Sequence, residues 1–324
     1  MSRATQWWDR HQVALYLAAI VGGGVVGSLA PVVAPGLSLA ITPVLGLLLF
    51  ATFLSVPLID VARSLRDLRF LGTVVVVDFV VAPVVAFGLS RLVADDRGLL
   101  VGVLLVLLTP CIDYVIVFTG LAGGARDRLL AAAPVLMLLQ IVLLPVYLLV
   151  FAGGETVATI DLRPFVEAFV FLIVVPLAAA AVVQALARRQ RAGVRVMAAT
   201  ADATVPLMLL TLFVVVGSQI AAVGGEAVSL VRLLPVYVGF LAVMLVVGLV
   251  AGRMSRLDVP ATRAVVFSGA TRNSLVVLPL ALALPPALSI APLAVVTQTL
   301  VELVGMVVFV WLVPRLTAPA RARV

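Results

Sequence analysis

The feature that most constrains this chain is its uncharged runs. No ionisable acid or base interrupts the sequence from Gln12 to Ile59. Further uncharged runs cover Leu129 to Gly154, Ala168 to Ala187, Ala203 to Gly225, Leu233 to Gly252 and Asn273 to Val301. A spanning helix needs about 20 mostly apolar residues, and the two longest runs are broken internally by APVVAPG at 30–36 and LPPA at 284–287. A large soluble protein would need a polar face on most of its helices, and these runs offer none. With 64% of the 324 residues hydrophobic and 11% charged, the chain reads as an all-α polytopic membrane protein.

The breaks predict ten spans, near residues 12–30, 37–59, 70–90, 98–122, 129–151, 164–187, 197–220, 233–252, 261–284 and 291–313. Nothing between them is long or polar enough for a soluble domain, so residues 1–324 read as one integral membrane domain. The first apolar run is too long for an ordinary cleavable signal. Trp7 and Trp8 fit an interfacial anchor.

The net charge of +7 is carried entirely by arginine, with 22 basic residues and no lysine. Under ten spans, seventeen arginines, Arg66, Arg191 and Arg256 among them, fall on one side. Only Arg91, Arg97, Arg163 and Arg232 fall on the other. This is the positive-inside distribution, with both termini cytoplasmic, and not a nucleic-acid footprint. The remaining arginine, Arg272, lies inside span 9. Without lysine there is no Walker lysine and no ATP hydrolysis. A membrane-embedded serine protease needs an intramembrane histidine, and the single His11 sits at the N-terminal boundary; no GxGD motif of an intramembrane aspartyl protease is present. No cofactor is implied.

The two halves are alike. At an offset of 163, Pro43 matches Pro206, Phe50 matches Phe213 and Ser55 matches Ser218. Five spans per half is odd, so repeat one (about 12–152) and repeat two (about 162–315) would insert inverted, an architecture of secondary transporters with midplane sites at discontinuous helices. Spans 4 and 9 stand in equivalent places and both look interrupted. Span 4 carries Thr109, Pro110 and Cys111, with Asp113 beyond; span 9 carries Thr271, Arg272, Asn273 and Ser274. A proline removes a backbone donor and clashes with the preceding turn. The groups it frees must be satisfied by protein or a wet cavity, because lipid offers them nothing.

With those residues in hand, the chain resembles the bile acid:sodium symporter superfamily over about residues 12 to 315, and within it the arsenical-resistance (arsenite efflux) permeases. The likeness rests on Pro110-Cys111 followed eight residues later by Thr119, Gly120, Leu121 and Ala122, and on Leu300-Val301-Glu302-Leu303 in span 10. The resemblance implies two inverted repeats, a core domain around crossed broken helices 4 and 9, and a flanking panel of spans 1, 2, 6 and 7. There are departures. Arsenite permeases carry a glutamate in span 9, where this chain has no acid. Sodium symporters use Glu and Gln four residues apart in span 9, where Ser268 and Arg272 stand here. Their span 4 Ser-Asn pair falls on Val115 and Ile116, and their span 3 Gln falls on Asp78. The resemblance therefore implies an Asp78–Arg272 ion pair in place of bound sodium, with Asp113 as a second partner for the arginine.

Asp78, Asp113, Arg272 and Glu302 are charges in or near the membrane, each costing roughly 2.5–3.5 kcal/mol at a helix centre and reading as functional; Asp113 alone has a bland alternative, a first-turn carboxylate complementing the positive end of a helix. Glu167 and Asp202 open spans 6 and 7 and read as boundary residues. Cys111 is the one soft ligand, suited to a thiophilic centre such as trivalent arsenic; the bland alternative is a small buried hydrophobe. Together these give a secondary transporter of the bacterial cytoplasmic membrane that exports arsenite or a related small oxyacid, driven by protons rather than sodium. The substrate contacts are Thr109, Pro110, Cys111, Asp113, Thr119, Arg272, Asn273 and Ser274; the ion-coupling residues are Asp78, Arg272 and Glu302; no resident metal is expected. The alternative is an organic-anion transporter in which Arg272 binds a substrate carboxylate.

Overall fold

The computed structural model describes residues 3–55, 67–112, 114–152, 167 and 170–317. Asp113, a proposed substrate contact, lies outside them. Among the described residues all named elements are helical: α1 (Arg3–Leu29), α2 (Ala34–Ser55), α3 (Leu68–Val76), α4 (Ala82–Ser90), α5 (Arg97–Leu107), α6 (Tyr114–Leu121), α7 (Arg126–Ala152), α8 (Val175–Ala187), α9 (Arg191–Gly225), α10 (Ala227–Val231), α11 (Leu234–Met254), α12 (Val259–Ala270), α13 (Ser274–Leu282) and α14 (Ala291–Leu316). Among the described residues, six helical stretches are long and apolar enough to cross a membrane: Pro31–Ser55, Leu68–Val93, Arg126–Phe151, Arg191–Ile220, Val228–Met254 and Pro286–Leu316. The expected spans 1 and 6 hold shorter apolar stretches, Ala14–Leu29 and Val175–Ala187. The expected spans 4 and 9 are each two short helices flanking a break, α5 with α6 and α12 with α13.

The chain divides into two compact units, each drawn from two separated stretches. One comprises Met1–Ile59 and Leu162–Val228, the other Asp60–Asp161 and Ser229–Val324. The first holds the expected spans 1, 2, 6 and 7. Its α1 and α9 pack backbone against backbone. A Cβ built on Gly23 would stand 2.5 Å from Phe213 O, and one on Gly27 would stand 2.6 Å from Ile220 Cγ2. Small residues at such contacts let helices approach where no hydrophobic drive separates lipid from protein. Gln184 of α8 is buried and donates to Phe53 O and Leu54 O at 3.3 and 3.1 Å, at the end of α2. Ser55 and Ser218, matched at the offset of 163, each donate to the carbonyl three residues back, Thr52 at 2.7 Å and Val215 at 2.9 Å.

The second unit holds α3 to α7 and α11 to α14. Arg128 bridges Asp67 at 3.4 Å and Asp258 at 2.8 Å. Those aspartates are the N-caps of α3 and α12, accepting from Phe70 N and Ala261 N, so one arginine ties the starts of both helices. Gly102 of α5 and Gly248 of α11 mark close approaches to the backbone of another helix; their Cβ atoms would stand 2.8 Å from Ala291 O and 2.6 Å from Val266 Cα. Between α3 and α4 the helix widens into a π turn over Val77–Val81. The proline two residues past it, Pro83, cannot coexist with an ordinary bond to the carbonyl of Phe79 four residues back. That carbonyl accepts the Tyr147 hydroxyl instead. Such turns gather at functional sites, and this one carries Asp78. A second π turn, Val170–Val174, likewise precedes a proline, Pro176 of α8.

Candidate functional site

The two breaks cross. Pro110 and Arg272 form an isolated antiparallel bridge, with Cys111 N donating to Thr271 O at 3.1 Å and Asn273 N donating to Thr109 O at 2.8 Å. The pairing is reciprocal, each break satisfying one backbone donor with the other's carbonyl. The threonine before each break turns its hydroxyl back onto its own helix, Thr109 onto Leu105 O at 2.8 Å and Thr271 onto Phe267 O at 2.6 Å. Four helix ends therefore meet here, the C-termini of α5 and α12 and the N-termini of α6 and α13. Their unsatisfied groups set the electrostatics of everything placed around them.

Arg272 serves the two C-terminal ends. Its guanidinium is fully buried and donates through Nη2 to Ser268 O at 3.0 Å and Gly269 O at 2.5 Å, both at the end of α12. Nη1 donates to Leu107 O, the last residue of α5, at 3.4 Å. A cation beside the negative ends of two helices is where the macrodipoles place it best. The same Nη2 donates to Asp78 Oδ1 at 2.9 Å, Asp78 Oδ2 accepts the Ser268 hydroxyl at 2.6 Å, and the Phe240 ring lies 5.3 Å from the guanidinium carbon. The ion pair that the resemblance implies is thus present, with both side chains at 0% exposure. Both terminal nitrogens of the guanidinium meet oxygen acceptors, while its buried Nε has no partner among the described residues.

Glu302 serves the N-terminal ends. Its Oε2 accepts the Arg272 backbone N–H at 2.7 Å and the Gln298 amide at 2.5 Å, and its Oε1 accepts the Tyr114 hydroxyl at 2.5 Å. Tyr114, the first residue of α6, also donates to Arg272 O at 3.0 Å. Two buried carboxylates thus bond one arginine, Asp78 its guanidinium and Glu302 its backbone N–H. With all three ionised, the cluster carries an excess of one negative charge.

Other buried polar atoms have no partner among the described residues. Asn273 caps α13 through Oδ1, which accepts Val276 N at 3.3 Å, while its Nδ2 has no hydrogen-bond partner. The same holds for Ser274 Oγ, Gln298 Oε1 and Thr119 Oγ1, all on buried side chains. A buried unpaired donor costs about 1–3 kcal/mol, and two of these atoms, on Asn273 and Ser274, stand at the N-terminus of α13. Of the residues singled out in the sequence, Thr109, Pro110, Cys111, Arg272, Asn273 and Ser274 lie in or beside the crossing, with Asp78 and Glu302 bonded to Arg272. Thr119 lies farther along α6, near the turn into α7. Cys111 is fully buried.

Tyr114, Gln298 and the backbone of Gly269 were not singled out in the sequence. Gln298 had a legible signal, a polar side chain four residues before Glu302 and hence on the same helix face. Tyr114 had only its place after the break.

The geometry is that of a transporter core, crossed discontinuous helices around buried charges, within an apolar multi-pass chain. The sequence profile of the sodium bile acid symporter family matches residues 42–226, more than half of the chain. The protein belongs to that family and is a multi-pass membrane protein of a transporter class that moves small organic anions with a coupling ion. The match contains Asp78 and Cys111 and ends before Arg272 and Glu302. No individual protein of curated function matches the chain.

Proposed function

We propose that this protein is a secondary active transporter of a small oxyacid, coupled to protons rather than sodium, with its substrate held at the crossed breaks. The observation that carries the reading is the buried pair of carboxylates, Asp78 and Glu302, against the single arginine Arg272. A guanidinium cannot release its proton, so the surplus negative charge is balanced by a proton or by a bound cation. The oxygen cage that would suit a cation, Asp78 Oδ1 with Ser268 O and Gly269 O, already encloses Arg272 Nη2. That favours the proton. Uptake of a proton by either carboxylate weakens the bonds that hold Arg272 and Tyr114 at the crossing, which couples protonation to its opening.

Asn273 Nδ2 and Ser274 Oγ at the α13 N-terminus supply substrate contacts of the right kind for oxygen atoms. Arsenite fits this reading with Cys111 as a transient contact: the thiol exchanges for one arsenic-bound hydroxyl, an As–S bond forms, an As–O bond breaks and water leaves. Because Cys111 is enclosed here, that contact belongs to an opened crossing. Ten spans in two inverted repeats, a core in the second unit, a panel in the first, export from a bacterial cytoplasmic membrane and cytoplasmic termini complete the proposal. The reciprocal pairing of the breaks and the matched serines support the repeats.

The second reading, an organic-anion transporter, is favoured by the family to which the chain belongs. A substrate carboxylate would then meet Asn273 and Ser274, with only the Nε of Arg272 left unpartnered beside Asp78 and three carbonyls. Proteoliposomes decide between the readings. Arsenite movement under an imposed proton gradient, unaffected by replacing sodium with choline, is the expected result. Strict dependence on sodium would sink proton coupling, and transport of cholate but not arsenite would select the organic anion.

A further inference from the structure

Away from the crossing, the second unit carries a groove of about 860 Å³ between α3, with its π turn, and α11. Its walls are apolar, with Val76, Val77, Val250 and Met254 among them, while Arg69 and Arg256 also line it. Val77 and Met244 both lie against Gly269, within 3.1 Å of where its Cβ would stand. Farther along, Leu89 of α4 lies 3.6 Å from where a Cβ on Gly239 of α11 would stand; the two levels together set the helices antiparallel, with Arg69 at the start of α3 and Arg256 just past the end of α11 at the same mouth. From Arg69 to Val81 the wall rises ~18 Å at 1.5 Å per residue, a little more than one leaflet of a hydrocarbon core ~30 Å thick.

Neither arginine is where helix chemistry alone would put it. Arg256 closes α11 in a six-residue cap, its N–H on Arg253 O at 3.0 Å and Leu257 N on Gly252 O at 2.9 Å. Its φ is 50°, the left-handed conformation usually given to glycine at this position. The C-terminal dipole already has a cation in Arg253. Arg69 stands in the first turn of α3, at the positive end, where a cation is disfavoured. Among the described residues neither is in an ion pair.

We propose that this groove binds an anionic glycerophospholipid, the phosphate held between Arg69 and Arg256 and an acyl chain laid along the valines. Charge complementarity selects the occupant: two uncompensated cations at the mouth of an apolar channel of single-leaflet depth match an anionic headgroup with its chain. The arginine-rich side of the chain makes it a lipid of the cytoplasmic leaflet.

The test uses the purified full chain in neutral detergent, read by thermal unfolding and by native mass spectrometry. Phosphatidylglycerol is expected to raise the melting temperature and to remain bound, while phosphatidylcholine and inorganic phosphate do neither. Arg69→Ala with Arg256→Gly should need roughly thirtyfold more phosphatidylglycerol, about fivefold for each arginine near the surface. Its lipid-free melting temperature should not fall, since glycine relieves the positive φ. Gly72→Leu blocks the channel without touching its charge: nothing lies within 4 Å of its Cβ position, so the fold tolerates it and bound phosphatidylglycerol should be lost. Equal stabilisation by phosphatidylcholine, or stabilisation by phosphate alone, overturns the proposal. So does full retention of phosphatidylglycerol by Gly72→Leu, which decides the matter even if the double variant fails to fold. A lipid-independent dimer dissolved by Gly72→Leu would instead assign the groove to a second copy of the chain.

Discussion

Replacing either member of the Asp78–Arg272 pair tests whether the crossing depends on a buried cation. In Asp78→Asn the guanidinium keeps its carbonyl acceptors, Ser268 O, Gly269 O and Leu107 O, but loses the one anionic partner it has among the described residues, at 2.9 Å. Both groups are fully buried, so the cost should sit in the range for breaking a buried pair, about 3–5 kcal/mol. At roughly 2 °C per kcal/mol for a chain this size, the melting temperature should fall by roughly 6–10 °C. Arg272→Gln should cost less, because the stranded Asp78 carboxylate keeps the Ser268 hydroxyl at 2.6 Å and can take up a proton, whereas a stranded guanidinium cannot shed one. The double variant, with two amides facing each other, should recover much of the loss and give a coupling energy of about 2–3 kcal/mol. The assay is thermal unfolding of purified protein followed by intrinsic tryptophan fluorescence, with arsenite transport measured on the same preparations. Additive losses in the double variant, or an unchanged melting temperature in Arg272→Gln, would refute the claim that the pair supports the crossing. A gain of sodium-stimulated transport in Arg272→Gln would show the oxygen cage accepting a free cation once the guanidinium is removed.

Tyr114→Phe removes a donor to Glu302 and to Arg272 O and should cost about 1.5–3 kcal/mol, as for a bond to a charged group; unaltered transport would detach Tyr114 from the mechanism. Cys111→Ala and Cys111→Ser should both abolish protection of arsenite-sensitive cells at normal protein abundance, and full protection by the alanine variant returns the thiol to a packing role. Cysteines placed at Arg191 and Arg256 should be labelled only from the cytoplasm and one at Glu226 only from outside, so outside labelling of either of the first two breaks the ten-span topology. The exposed Asp95 carboxyl is held below its usual range by the hydrogen bond from Arg232. Its folded-state value is the lower one, so its small contribution should be present at neutral pH, fade as pH drops below about 4, and vanish in Arg232→Ala or at high salt, measured by melting temperature against pH.

The sequence alone determined what depends on composition and spacing. Uncharged runs of spanning length leave no polar face for a soluble fold, so a multi-pass helical protein could be read without coordinates. Pro110 marked the break in span 4, because a proline's chemistry is local. Arg272 and Glu302 announced themselves as intramembrane charges, because the cost of burying them holds in any fold. The pairing of Asp78 with Arg272 came only through resemblance to a family; nothing in their spacing, 194 positions apart, joins them. Tertiary structure decided the rest. The two breaks bond to each other through four backbone groups, and Arg272 collects carbonyls from the ends of two helices that lie far apart in sequence. Glu302 completes the opposite ends through Tyr114 and a backbone N–H. These arrangements follow from where helix termini meet in space, and a backbone donor or a helix end carries no residue type by which a sequence could advertise it.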